Sequence, residues 1–401
     1  MEPEILGVTD DNRLVSTYVP AVHTPLDPCI RDGDNFIMRE SPLHGIRGYQ
    51  KMGVVDLHRP HDYLRAYRGR ILRNDTTDLW QKSNEFDIHI QEIHKDNYQD
   101  YQDQNPNAMV DDFCNMTAVL RHLQPHQHPN IANLVDCLED ENYIYIVTEF
   151  GGPDLYELVS TSSGHYDSLL DEKRVRNIFK QVVTALTFLQ EVGVYHQDLQ
   201  LDNIGLHENG VVKLMDFGRA VFVPRMTLAQ IKQTFDQHNL GHNPYPAMYD
   251  RYDAEGNEQL IPLLIAPNIL SGGRLTISPE RITVHPATVP HLSNDMVTQI
   301  PFAFTAIPFD AYRSENWTLG IILYYLLTGS APWTIAHRGD AFFIQNSQPD
   351  NVMQILQNMP TLAGTPMSLD VIDLVRTLLS SVDPATRLSL AQIRAHPCMD
   401  G

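Results

Sequence analysis

Asp198, Asn203 and Asp216 occupy two short loops on either side of an apolar hairpin, and these residue types could hold a divalent cation. The hairpin reads IGLHENGVVKLM and is turned by Asn209-Gly210, a dipeptide that tolerates the positive φ of a tight turn. Carboxylate and carboxamide oxygens are both hard donors, of the kind a hard divalent cation prefers. Taken singly, each residue says little. Asp198 could be a loop aspartate bonded to backbone, and His196 a packed core histidine. The joint spacing, a helix before the first loop and the hairpin after it make coincidence a poor explanation.

The elements that must position these loops can be read from periodicity. Residues 46–95 carry short β-type runs, GVVDL, YLRAY and GRIL, then FDIHIQEI with strict alternation of Phe86, Ile88 and Ile90. NYQDYQDQNPNA reads as a polar break. VDDFCNMTAVLRHL has helical spacing through Val110, Phe113, Val119, Leu120 and Leu123, with Asp111 and Asp112 in its first turn. Two apolar strands follow, NLVDCL and YIYIVTEF, around the turn DEN. KRVRNIFKQVVTALTFLQEVG predicts a helix with Val175, Ile178, Phe179, Val182, Leu186 and Leu189 on one face, ended by Gly193. SENWTLGIILYYLLTG is apolar nearly all round, as a buried central helix would be. VIDLVRTLLSSV and PATRLSLAQIRAH predict two more helices. A β-rich region followed by a helical one makes the fold α+β, with a cleft expected between two lobes. The expected domains are an extension over 1–45, an N-lobe over 46–150 and a C-lobe over 151–401. A long, irregular, proline-rich segment runs over about 222–310 within the last of these.

Composition narrows the function classes. The chain has 29 Lys and Arg against 50 Asp and Glu, a formal charge of −21. Phosphate-backbone binding needs clustered cations, so nucleic acid is disfavoured as a partner, whereas a basic protein surface would suit the charge. No apolar run is long enough for a transmembrane helix, and MEPEILGVTDDNR is no secretory signal. Cys29, Cys114, Cys137 and Cys398 are widely spaced and read as reduced thiols, which suggests a cytoplasmic protein with a nuclear location open. His58, His61, His122, His126 and His128 lack a carboxylate or cysteine to complete a metal set.

His196-Gln197-Asp198, Asn203 and Asp216-Phe217-Gly218 together resemble the catalytic loop and magnesium loop of eukaryotic protein kinases. Flanking stretches agree: His128-Pro129-Asn130-Ile131, Ser278-Pro279-Glu280 in the place of A-P-E, and Glu315-Asn316-Trp317-Thr318-Leu319-Gly320 against D-x-W-S-x-G. The resemblance covers roughly 46–400 and is strongest from 128 onward. It implies a bilobal protein-kinase-like fold, a small mostly-β N-lobe and a larger helical C-lobe, with ATP and Mg as cofactors. It assigns Asp198 as catalytic base, Asn203 and Asp216 as metal ligands, and Thr148 and Glu149 as gatekeeper and hinge. It also pairs Arg387 with Glu280.

The same resemblance exposes departures. No glycine occurs between Gly53 and Gly69, so the stretch VVDLHRPHDYLRAYR holds no glycine-rich loop for phosphates. Ile88-His89-Ile90-Gln91 aligns with V-A-I-K, which puts Gln91 at the position of the phosphate-holding lysine. No Glu occurs from Ile93 to Leu138, and Met116 stands where the orienting glutamate belongs. Gln200 replaces the catalytic-loop lysine, Gln197 the arginine that receives an activation-loop phosphate, and Gly273 a threonine that contacts the loop. Removing one oriented charge from such a site typically costs about 3 kcal/mol, or roughly a hundredfold. The expectation is therefore a degenerate kinase, a pseudokinase or scaffold with weak Mg-ATP binding and a protein partner. The alternative is an active atypical Ser/Thr kinase in which Arg65, Arg68, Arg70 or Lys95 has become the phosphate-holding cation. A small-molecule phosphotransferase ranks third.

Overall fold

The computed structural model describes residues 3–17, 19, 25–34, 36–41, 45–55, 62–74, 81–82, 87–104, 112–160, 170–265, 276, 278–283, 303–304 and 308–400. Phe86, Val110, Asp111, Gly273 and residues 56–61 of the stretch expected to replace the glycine-rich loop, His58 and His61 among them, lie outside these. The chain is α+β and divides into two compact units that interleave along the sequence. One comprises 22–154 and 204–218, the other 1–21, 155–203 and 219–401.

The first unit is built on antiparallel strands Gly45–Val55, Leu64–Asn74, Ile88–His94, Tyr143–Glu149 and Leu134–Glu139, adjacent in that order. The two 11-residue strands form one long hairpin, where the sequence suggested several short runs. Phe36–Ser41 extends the sheet beyond Gly45–Val55. The short segments Asp27–Pro28 and Ile30–Asp32, joined by Cys29, then pair with opposite edges of the sheet, at Leu134–Glu139 and Phe36–Ser41. One short segment thus meets both edges of the sheet, which wraps around its apolar interior as a barrel. Tyr49, Ile71, Ile88, Ile90, Leu138, Tyr145 and Val147 fill the interior. Part of the stretch read as an extension is thus a barrel strand.

The polar break is a correction: Lys95–Gln104 is a helix. It has no apolar stripe and buries no residue; its Tyr98 and Tyr101 rings instead lie 5.3 and 5.1 Å from the Tyr63 ring. The helix Phe113–Leu123 follows, with Asp112 as its N-cap accepting from the Asn115 amide. The hairpin Ile204–Leu206 and Val212–Leu214 also belongs to this unit, and Gly210 takes φ 84° at its turn.

The second unit is helical. Glu172–Val192 starts at the Asp171 N-cap and stops at Gly193, whose φ of 82° only glycine adopts readily. It packs on the central helix Ala311–Thr328, which packs in turn on Leu369–Ser380. The last predicted helix is shorter than expected, a 3₁₀ turn at Pro384–Thr386 and then Leu390–Arg394. The segment read as irregular contains a helix, Leu228–His238, opened by a capping box between Thr227 and Gln230.

Candidate functional site

In the helical unit, Val194–Tyr195 pairs with Val221–Phe222 and delivers the chain into the loop from His196 to Asn203. The loop is anchored from below by Glu315 of the central helix. Its carboxylate accepts the His196 amide at 3.1 Å and also bonds the Gln197 amide. Glu315 is 2% exposed, and burial pushes its carboxyl up to about 8, against the opposing pull of those two amides. Gln197 is held at φ 70°, a left-handed conformation that costs a non-glycine residue about 1–3 kcal/mol and persists only where surroundings enforce it. Among the described residues neither end of its buried side-chain amide has a hydrogen-bond partner.

Asn203 donates from Nδ2 to the Asp198 carbonyl at 2.7 Å, which fixes the carboxamide and leaves its oxygen as the atom able to ligate a cation. The Asp198 carboxylate is almost enclosed. Its Oδ2 lies 3.5 Å from the Gln200 side-chain nitrogen and 3.5 Å from an Arg219 guanidinium nitrogen. Arg219 is itself only 9% exposed at the side chain. Sequence reasoning passed over this arginine, although it directly follows Asp216-Phe217-Gly218. It also passed over Glu315 as the anchor of the loop, although the motif E-N-W-T-L-G contains it.

Below the same loop, Glu280 and Arg387 form the expected pair, with two bonds of 2.7 and 2.5 Å. The Arg387 side chain is 2% exposed and also donates to the carbonyls of Ser381, Arg313 and Val382. This is a buried, two-pronged ion pair rather than a surface contact.

In the barrel unit, Asp216 has φ 55°, and its Oδ1 accepts the Gly218 amide at 3.1 Å. The Gly218 carbonyl accepts the Asp112 amide at 2.9 Å, so the N-terminus of helix Phe113–Leu123 holds the D-F-G turn. Gly152 is required by its backbone, since it takes φ 88° and a Cβ there would stand 2.7 Å from the Leu206 carbonyl oxygen.

Pairing across the ladder sorts the strand residues by face. Gln91 is opposite Ala66 and Ile146, and His89 opposite Arg68 and Thr148, so Gln91, His89 and Thr148 share the outer face. Gln91 and Thr148 are buried there, and desolvation pushes the His89 imidazole down to about 4. Glu92 has the opposite parity and enters the barrel, where it pairs with Lys51; the two side chains are 1% and 2% exposed. Tyr67 donates to the other Glu92 oxygen, and the Lys51 ammonium lies over the Tyr67 and Tyr145 rings. Met116 is buried on helix Phe113–Leu123.

Glu149, expected at the hinge, has its carboxylate engaged by Lys213 at 2.6 Å and by Asn133. The four cations considered as relocated phosphate holders are engaged too. Lys95 binds Glu139 at 2.8 Å and the Asp140 carbonyl, Arg70 binds Gln50, and Arg65 bonds Tyr67. Arg68 shares the outer face but is bound to Asp87 and lies 4.8 Å from the Phe150 ring centre.

Comparison with known proteins agrees with this architecture. Residues 90–237 match the protein kinase domain family. The chain is 26% identical over 276 residues to Serine/threonine-protein kinase CHK1 of Saccharomyces cerevisiae, covering 68% of this chain and 39% of that protein. It is 26% identical over 287 residues to Sperm motility kinase 2B of Mus musculus, covering 71% and 43%. CBL-interacting serine/threonine-protein kinase 17 of Arabidopsis thaliana is 24% identical over 278 residues, 69% of this chain and 47% of that protein. The chain thus spans less than half the length of these curated relatives. The kinase-domain match over residues 90–237 and these Ser/Thr-kinase relatives together support membership of the protein kinase superfamily.

Proposed function

We propose that the chain is a degenerate protein kinase domain that acts through binding, a pseudokinase or scaffold that holds Mg-ATP weakly. Gln91 carries this reading. It stands on the outer sheet face beside Thr148, where a phosphate-holding lysine is called for, and offers an uncharged amide. Gln200 beside Asp198 is a second glutamine in a cation's place. Magnesium fits the donor chemistry, because Asn203 and Asp216 present the hard oxygens it prefers. When bound, the ion would neutralise phosphate charge; Asn203 and Asp216 would hold it, and Thr148 and Glu149 would border the nucleotide base. In this reading the oxygen donors for the metal are kept, while Gln91 and Gln200 stand where cations for the phosphates would be.

The partner that fits is a protein with a basic surface, given the charge of −21. Among the described residues no helix is long and apolar enough to cross a membrane. A cytoplasmic location follows from the thiol usage, with the nucleus as the other compartment it permits.

The test is a magnesium- and manganese-dependent ATP titration by thermal shift, run beside phosphate incorporation, with Asp216→Asn as control. Stabilisation that needs the metal and vanishes in Asp216→Asn, with no incorporation, is the expected result. Incorporation abolished by Asp216→Asn overturns the pseudokinase reading. A chain with no nucleotide-dependent stabilisation is a scaffold only.

One observation favours the second reading, an active atypical Ser/Thr protein kinase. Arg219 places a guanidinium 3.5 Å from the Asp198 carboxylate, the region that lost its lysine at Gln200. In that case Arg219→Ala lowers incorporation by about a hundredfold and Arg219→Lys restores much of it.

A further inference from the structure

The stretch between Asp216 and Glu280 corresponds, in the resemblance, to the activation segment. Gln197 lacks the charge that would order this stretch through a phosphate, yet much of it is built. Residues 225–265 carry the strands Arg225–Met226, Ile261–Pro262 and Leu264–Ile265 and the helix Leu228–His238. Their apolar side chains, Ile231, Phe235, Tyr245, Ile261 and Leu263, form one buried cluster whose sixth member is Leu14, fully buried and more than 200 residues away in sequence. Ile5 and Val8 pack against the same cluster.

Leu14 arrives on a hairpin, Ile5–Val8 with Leu14–Ser16. Its second strand adds in parallel to Leu264–Ile265, with Val15 opposite Leu264 and Ser16 opposite Ile265. Val19 bridges to Phe222. The Leu14 amide donates to the buried Tyr245 hydroxyl at 2.8 Å, and Arg13 reaches Asp310 at 3.5 Å. Asp310 is the N-cap of the central helix, and Ile265 exchanges both backbone bonds with its neighbour Phe309. Main-chain pairing, an apolar anchor and a polar contact on each side are the components of strand-addition recognition. Without residues 3–17, Leu264–Ile265 would become an open strand edge and the Tyr245 hydroxyl would lose its donor.

We propose that residues 3–17 are an intramolecular peptide ligand for a dock formed by residues 221–265 and Asp310, and that this docking orders the activation segment in place of phosphorylation. The ligand class is an extended strand with a leucine anchor preceded by an arginine. The arrangement does not depend on whether the chain transfers phosphate.

Amide hydrogen exchange on the full chain tests it. Leu14→Asp should speed exchange in 228–238 and 261–265 by at least about tenfold and leave 172–192 and 369–380 unchanged. A synthetic peptide of residues 3–17 added to that variant should restore protection, and the same peptide carrying Leu14→Asp should not. Phosphatase treatment of the parent chain should change nothing. If Leu14→Asp loosens 172–192 as well, the milder Leu14→Ala decides, and a local response confirms the dock. The proposal is overturned by unchanged exchange in both variants, by a global response in both, by equal rescue from the mutant peptide, or by loss of protection on phosphatase treatment.

Discussion

Glu315 of the helical unit and Glu92 of the barrel unit are both carboxylates with almost no exposed surface, yet they meet burial differently. Glu315 has two backbone amides for partners, and burial drives its carboxyl up to about 8. Glu92 has the Lys51 ammonium, the Tyr67 phenol and, at 3.9 Å, the Arg31 guanidinium for partners, and burial lowers Lys51 more than Glu92 raises it. The first carboxylate fixes the backbone on which Asp198 and Asn203 stand. The second draws a lysine into a barrel interior. The kinase-like motifs therefore persist where they also shape a loop, and the barrel's charges serve the barrel.

The comparison breaks first, if it breaks, at Lys51. Lys51→Met leaves the buried Glu92 with only the longer 3.9 Å contact of Arg31 for countercharge, so it should lower stability in urea unfolding by about 3 kcal/mol. Lys51→Met with Glu92→Leu should recover most of that, since a packed apolar pair often matches a buried ionic one. Equal losses in the single and double variants would mean the pair does not govern the barrel.

Glu315 gives the next largest effect. The folded state keeps its proton up to about 8, whereas the unfolded chain releases it near the ordinary value of 4.5. Its contribution is thus fully present below 4.5 and is lost as pH rises through about 8. The slope is at most about 1.4 kcal/mol per pH unit. Glu315→Gln should flatten that slope and make the variant more stable than the parent in mild alkali, as read by unfolding at several pH values.

Arg387→Ala, which takes the guanidinium from Glu280 and leaves it the Ser278 hydroxyl, should cost about 3 kcal/mol. Its effect should appear as faster exchange in the helical unit. His89 supplies the smallest effect and the opposite sign. Its imidazole is pushed down from 6.5 to about 4, so its contribution is present above 6.5 and is lost as pH falls through about 4. His89→Leu should relieve that acid slope by about 1 kcal/mol, the full shift being discounted for partial exposure. Residue-resolved exchange across pH would then show the helical unit weakened by alkali and the barrel unit by acid.

Periodic segments were readable because burial imposes the period. The helix Glu172–Val192 and the central helix carry apolar faces that only a helix can bury, and glycine ends each of them. The hairpin turned at Asn209-Gly210 carried its own turn chemistry. Lys95–Gln104 escaped because it packs through two tyrosines rather than an apolar stripe. Leu228–His238 escaped beneath the surrounding prolines, although Thr227-x-x-Gln230 is a start signal and Ile231 and Phe235 are one turn apart. The strands before residue 41 are two to six residues long and complete edges supplied by distant segments, so no local pattern marks them. At the loop, residue types announced Asp198 and Asn203, whereas the pairing of Asp198 with Arg219 arises only from folding.

The interleaving of the two units bears on the order in which a ribosome delivers them. By the time residues 22–154 have emerged, the barrel strands can pair, but the hairpin at 204–218 that belongs with them has yet to be made. The segment around Leu14 emerges before either unit is complete and must wait about 250 residues for Leu264. Through that interval a hairpin with Leu14 on its apolar side has no dock, and Leu264–Ile265 closes a loop nearly as long as a domain. Assembly of the helical unit therefore waits on its later segments, and residues 3–17 cannot settle until Leu264–Ile265 has emerged.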